Sequence, residues 1–215
     1  MPMEPGTTRF TLVRHGQSQA GRPGERFPLV DGHGDPPLSD LGHQQASAVG
    51  ERLRAEPFHA LYASSLTRTQ ETAAPLARHL DLEVRVDREL REVFLGDWEG
   101  GLFREKLHEG TDPVIHEFRA TGDWGAIPNG ESNADLVARV GAAVRRLHDA
   151  HIDEHVALFV HGGVIAALLS EATGGPMHRL GGAENGSIHR LWVKGERWVM
   201  RSFNDSTHLA GVMTP

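Results

Sequence analysis

Residues 156–160 read Val-Ala-Leu-Phe-Val, with no polar position, and run directly into His161-Gly162-Gly163. A short run that is apolar at every position has no face to offer water, so it reads as a strand covered on both sides. Strands of that kind need a helical layer above and below. The rest of the chain supplies the pieces. Residues 9–13 (RFTLV), 60–63 and 83–86 are β-prone. Ser39-Asp40 can cap a helix reaching about Glu56, ahead of Pro57. A second helix is expected from Ser64 or Ser65 to about Leu80, with Pro75 as its kink. Leu136, Val137, Val140, Val144 and Leu147 recur at helical spacing within 132–148, and a further helix is expected over 164–173. Residues 188–193 and 198–203 read as a hairpin across Lys194–Arg197. Strand and helix alternate, which predicts an α/β fold: a three-layer α/β/α sandwich with a mainly parallel central sheet. Two stretches fall outside this pattern. Residues 16–37, rich in Gly and Pro, read as a long loop, and loops of that length are usually functional. Residues from about 102 to 129, with short helical pieces broken at Gly110 and Pro113, read as a lid-like insertion in a single domain spanning 1–215.

Composition narrows the chemistry. The 215 residues include 22 Lys+Arg and 29 Asp+Glu, a formal charge of −7, which disfavours broad nucleic-acid or anionic-membrane binding. There is no cysteine, so disulfides, thiolate catalysis and Cys-held metals are excluded. No apolar run approaches the ~18–20 residues of a membrane span, and residues 1–8 show no secretory pattern. The expected location is therefore cytoplasmic.

Two expected strand ends each carry a histidine followed by glycine: Arg14-His15-Gly16 and His161-Gly162-Gly163. Beyond the carboxyl ends of parallel strands lies the usual ligand site of such a sheet. Either histidine alone reads as an ordinary turn residue. Arg68 sits in the first turn of an expected helix, against the helix dipole, which calls for an anion nearby; a surface pair with Glu71 is the plainer reading. Glu92 stands in a loop leading to Gly96-Asp97-Trp98-Glu99-Gly100, where a carboxylate among cations suits a general acid.

Taken together, these residues give the chain a strong likeness to the histidine phosphatase superfamily, the phosphoglycerate-mutase-like fold. The resemblance rests on Arg14-His15-Gly16, Pro37-Leu38-Ser39-Asp40-Leu41-Gly42-His43-Gln44-Gln45-Ala46, Ser64-Ser65-Leu66-Thr67-Arg68, Leu90-Arg91-Glu92, Asn129-Gly130-Glu131-Ser132 and His161-Gly162-Gly163, in that order. It implies that His15 is a nucleophile forming a phosphohistidine. Arg14, Arg68 and His161 would hold the phosphoryl oxygens, and Glu92 would protonate the leaving group. With two arginines on the phosphoryl group, no metal or other cofactor is expected. Gln17, Ser18 and Gly162 are candidates for further phosphate contacts. Gly21 stands where the family often has Asn, and Val164-Ile165-Ala166-Ala167 lacks the Arg often found there.

The expected activity is hydrolysis of a small phosphorylated metabolite, with a phosphoglycerate-type mutase as the alternative. Arg22, Arg26, Arg104, Lys106, His108, His116 and Arg119 are weighed as substrate contacts against plain surface roles. A serine esterase is a remote alternative: Gly16-Gln17-Ser18-Gln19-Ala20 resembles a nucleophile elbow, but His161-Gly162-Gly163 follows it where an esterase oxyanion segment would precede it. His148, His151 and His155 read as a solvated helix end and not as metal ligands. The tryptophans Trp98, Trp124, Trp192 and Trp198 read as packing residues. Trp192 and Phe203 leave a homodimer edge open.

Overall fold

The computed structural model describes residues 4–21, 24–179 and 182–212; Arg22 lies outside these. Six strands form the central sheet in the order β5-β4-β6-β1-β7-β8. They are β1 (Thr8–Arg14), β4 (Ala60–Ala63), β5 (Val84–Val86), β6 (His155–Val160), β7 (Ile188–Lys194) and β8 (Arg197–Asp205). The β5–β4, β4–β6 and β6–β1 pairs are parallel, and the β7–β8 hairpin closes one edge with antiparallel pairs.

All six residues of β6 are buried, as the apolar run requires. Its side chains alternate between two cores. Val156, Leu158 and Val160 pack on α5 (Asn133–Ala150) and α6 (Gly162–Thr173), together with Leu136, Val140, Val144 and Leu168. Ala157 and Phe159 pack on α1 (Asp40–Leu53) and α2 (Thr67–Leu80), together with Val49, Leu53, Ala73 and Leu76. This is the expected three-layer α/β/α sandwich with a mainly parallel sheet. Residues 102–129 fold as α3 (Leu102–Glu109), α4 (Pro113–Thr121) and a short 3₁₀ turn, around a small separate cluster of Trp98, Ile115 and Ile127. No helix among the described residues is long and apolar enough to cross a membrane.

Several local expectations are corrected. The first helix stops at Leu53, short of Glu56, and Glu56 instead takes both guanidinium arms of Arg190 at 2.7 and 2.6 Å. The second helix starts at Thr67, because the Ser64 hydroxyl is taken up by Thr69 and His161. The long loop is not featureless: β2 (Leu29–Val30) and β3 (His33–Gly34) form a tight hairpin about Asp31-Gly32, both at positive φ, within residues 16–37. His148, His151 and His155 are buried, not solvated. Their rings meet the hydroxyls of Thr8, Tyr62 and Thr11 at 2.7, 2.9 and 2.8 Å, so His148 and His151 tie the end of α5 to β1 and β4 while His155 ties β6 to β1. Phe203 packs inward on His189, whereas Trp192 is half-buried under Arg201 at 4.7 Å.

Candidate active site

Parallel pairing places the ends of three neighbouring strands side by side. Arg14 of β1 is in register with Val160 of β6, and Ala63 of β4 with Phe159. His15 and His161 follow immediately, and their ring centroids lie 5.2 Å apart. Arg68 reaches the same place from the first turn of α2. Glu92 arrives from the loop after β5 and lands on the amino terminus of α6, where the Gly163 amide donates to both its oxygens at 3.1 and 3.3 Å. Sequence-distant residues 14, 15, 68 and 92 thus line one cleft of about 530 Å³, with the buried His161 ring beside His15.

Each group is held in a defined orientation. The His15 amide donates to the Val160 carbonyl at 3.0 Å, and Asn185 donates to the His15 carbonyl at 2.9 Å. The His15 Nδ1 sits 2.7 Å from the Gly16 carbonyl. A carbonyl only accepts, so Nδ1 carries the proton and Nε2 keeps a lone pair. Gly16 is required here because a Cβ would lie 2.5 Å from the Gly42 carbonyl oxygen. Gly163 leaves room for Glu92, since a Cβ there would fall 2.4 Å from Oε1 and displace the carboxylate.

Arg68 does not pair with Glu71, whose carboxylate accepts from the Leu38 amide. It donates instead to the Gly34 carbonyl at 3.1 Å and lies 3.7 Å from Asp35. Asp35 in turn accepts from the Thr67 amide and hydroxyl at 2.9 and 2.6 Å, capping the start of α2. Arg14 donates to the Ala183 carbonyl, and its buried Nε has no partner among the described residues. On His161, Nε2 meets the Ser64 hydroxyl at 2.8 Å, while Nδ1 is buried without a partner among the described residues.

The electrostatics follow from this crowding. Burial, then the charges of Arg68 and Arg14, hold the His15 imidazole well below its usual pKa, so the ring is neutral at pH 7. Burial and the neighbouring Arg68 do the same for His161. Burial also lowers Arg14 and Arg68, with the Glu92 charge opposing it in both.

Other expected contacts divide. Gln17 and Ser18 line the cleft, but Gln17 Oε1 accepts from Ser39 at 2.9 Å and Ser18 Oγ accepts from Arg104 at 3.1 Å. No histidine bonds Ser18 among the described residues, and its bridge to Leu38 leaves no elbow, which removes the esterase geometry. Gly162 packs beside Arg14. Of the weighed cations, Arg104 lines the cleft. Arg26 and Lys106 pair with Glu105 and Asp112, Arg119 donates to the Leu107 carbonyl, and His116 is exposed. His108 lies in a separate hollow beside Glu109. Sequence reasoning missed the hairpin residues His33, Gly34 and Asp35, and also Glu99, whose carboxylate accepts from the Gly34 amide at 2.7 Å. The Asp31-Gly32 pair was the available signal, being a strong turn dipeptide.

A nucleophile-ready imidazole between two guanidiniums, at the carboxyl edge of this sheet, defines a phosphoryl-transfer protein of the histidine phosphatase class. The profile of the histidine phosphatase superfamily (branch 1) matches residues 10–206. The chain belongs to that family, a histidine phosphatase in the class of phosphoric monoester hydrolases. Phosphoglycerate mutase-like protein 4 of Arabidopsis thaliana is 34% identical over 207 residues, 93% of this chain and 86% of its own. Glucosyl-3-phosphoglycerate phosphatase of Mycobacterium tuberculosis is 33% identical over 221 residues, 94% of this chain and 96% of its own. The solved native structure of the mycobacterial glucosyl-3-phosphoglycerate phosphatase superposes with a TM-score of 0.77 at 32% identity, covering 93% of this chain and 100% of that one.

Proposed function

We propose that the protein hydrolyses the phosphomonoester of a small metabolite through a phosphohistidine on His15. One observation carries the residue roles: the Gly16 carbonyl fixes the proton on Nδ1 and leaves the Nε2 lone pair in a cleft lined by Arg14 and Arg68. In the first step Nε2 attacks phosphorus in line, the P–O ester bond breaks, and Glu92 gives its proton to the departing alkoxide oxygen. In the second, ionised Glu92 takes a proton from water as the water oxygen attacks phosphorus. The P–N bond breaks and inorganic phosphate leaves. Arg14 and Arg68 stabilise the equatorial oxygens with forked donors, so the charge chemistry needs no metal.

His161 joins them as a neutral donor. Its Nε2 is taken by the Ser64 hydroxyl at 2.8 Å, so the ring meets a phosphoryl oxygen through Nδ1, which carries the proton when it does. Residues from about 102 to 129, which supply Phe103, Arg104 and Trp124 to the cleft wall, act as its lid. The names of the relatives support a small phosphorylated metabolite as substrate. The net charge of −7 supports a cytoplasmic protein without nucleic-acid or membrane partners.

The test is a panel of phosphomonoesters with wild type and His15→Ala, with and without EDTA. Metal-independent release of inorganic phosphate that disappears in His15→Ala supports the reading. Transfer of the phosphoryl group between positions of a sugar acid, with no phosphate released, favours the mutase instead.

A further inference from the structure

Arg14 and Arg68 suffice for one phosphoryl dianion, yet the cleft carries a third guanidinium. Arg104 projects from α3 and donates to the Gln19 carbonyl at 3.4 Å and the Ser18 hydroxyl at 3.1 Å, with its charged carbon 5.8 Å from the centre of the Phe27 ring. All of these partners are neutral. Among the described residues no carboxylate lies within ion-pairing distance of Arg104, whereas its neighbours Arg26 and Lys106 are each paired at 2.8 and 2.6 Å. The two carboxylates in the same wall are already engaged. Glu92 bonds the Gly163 and Val93 amides, and Glu99 bonds the Gly34 and Leu95 amides. An arginine held by neutral oxygens and an aromatic face, at the rim of a cleft of about 530 Å³, is oriented without being neutralised.

We propose that Arg104 receives a second anionic group of the substrate, a carboxylate or a further phosphate, on the leaving-group side of the ester. The inference rests on the hydrolase reading above and narrows it to doubly anionic metabolites. Arg104 is then a specificity determinant delivered by the lid. Its hydrogen bond to Ser18 links that lid to the loop that follows the nucleophile.

The experiment compares matched esters: 3-phosphoglycerate against glycerol 3-phosphate, and fructose 1,6-bisphosphate against fructose 6-phosphate. Wild type should prefer the doubly anionic member of at least one pair by tenfold or more in kcat/KM. Arg104→Met should cut that preference at least tenfold, mainly through KM, and Arg104→Lys should restore part of it. Collapse in the first pair identifies a carboxylate, and collapse in the second a phosphate. Preference ratios that Arg104→Met leaves unaltered would overturn the proposal, as would a wild type that favours neither anion. Calorimetric binding of the same esters to His15→Ala, with and without Arg104→Met, reads the contact without turnover. Selective binding lost with Arg104, in an enzyme that releases no phosphate, would therefore sink the hydrolase reading and keep this one.

Discussion

At the scale of single residues, the site depends on imidazoles kept neutral by their surroundings. In the proposed mechanism Arg68 contributes twice, as a stabiliser of transferring charge and as a cation that disfavours protonated His15. Arg68→Ala is therefore expected to lower kcat by at least ~10²-fold, a loss typical of removing a transition-state charge partner. A loss below tenfold would contradict its assignment. Arg68→Gln should also move the His15 pKa upward, measurable by ¹⁵N NMR titration of the ring, because one of its depressing charges is gone. Arg14, His15 and His161 could be picked out in the chain because each lies where a strand end runs into glycine, Arg68 because it opens a helix against the dipole, and Glu92 through the glycine-rich loop that follows it. The partners that orient them could not. Gly34, Asp35 and Glu99 approach Arg68 and one another only through tertiary folding, and no periodicity announces a carbonyl acceptor.

At the scale of elements, long regular stretches were legible and short ones were not. The uniform burial of β6 and the helical spacing in α5 follow from side-chain period alone. The β2–β3 hairpin has two-residue strands and exposes Leu29 and Val30, so it carries no hydrophobic pattern to read. Where α1 and α2 begin is set instead by hydrogen bonds to the side chains of Ser39 and Asp35. The amino terminus of α6 is an element-level device, since it seats Glu92 against a residue with no side chain. Gly163→Ala would put a methyl 2.4 Å from the Glu92 oxygen and force the carboxylate away. It should depress kcat by more than tenfold while thermal unfolding shifts little, checked by steady-state kinetics beside calorimetry. Ser39→Ala should act oppositely. It removes the cap on the Gly42 amide at 3.1 Å and a bond to Gln17, so a stability loss of about 1 kcal/mol is expected by chemical denaturation.

At the scale of the whole molecule, the catalytic edge of the sheet has a counterpart at its other end, where buried histidines join strands to helices. His155, at that end, is pushed down to about 3 by burial and then by Arg9 and Arg190, and His189, at the catalytic edge, to about 4 by burial and then Arg14. Folded pKa values below the unfolded ones mean that the unfolded chain binds more protons between them. Stability should therefore fall as pH drops from about 6.5, the unfolded value, towards these folded values, with each histidine contributing up to about 1.4 kcal/mol per pH unit. Urea unfolding from pH 7 to 4 should show that slope. A His155→Gln variant should flatten it, and an unchanged slope would remove His155 from the account.

The most direct measurement of the central claim is chemical trapping of the enzyme during turnover. A ³²P-labelled substrate from the phosphomonoester panel, quenched in alkali, should leave label on the protein that is stable to base, lost in acid and absent from His15→Ala. Label that survives acid, or that persists without the imidazole at position 15, would contradict the mechanism.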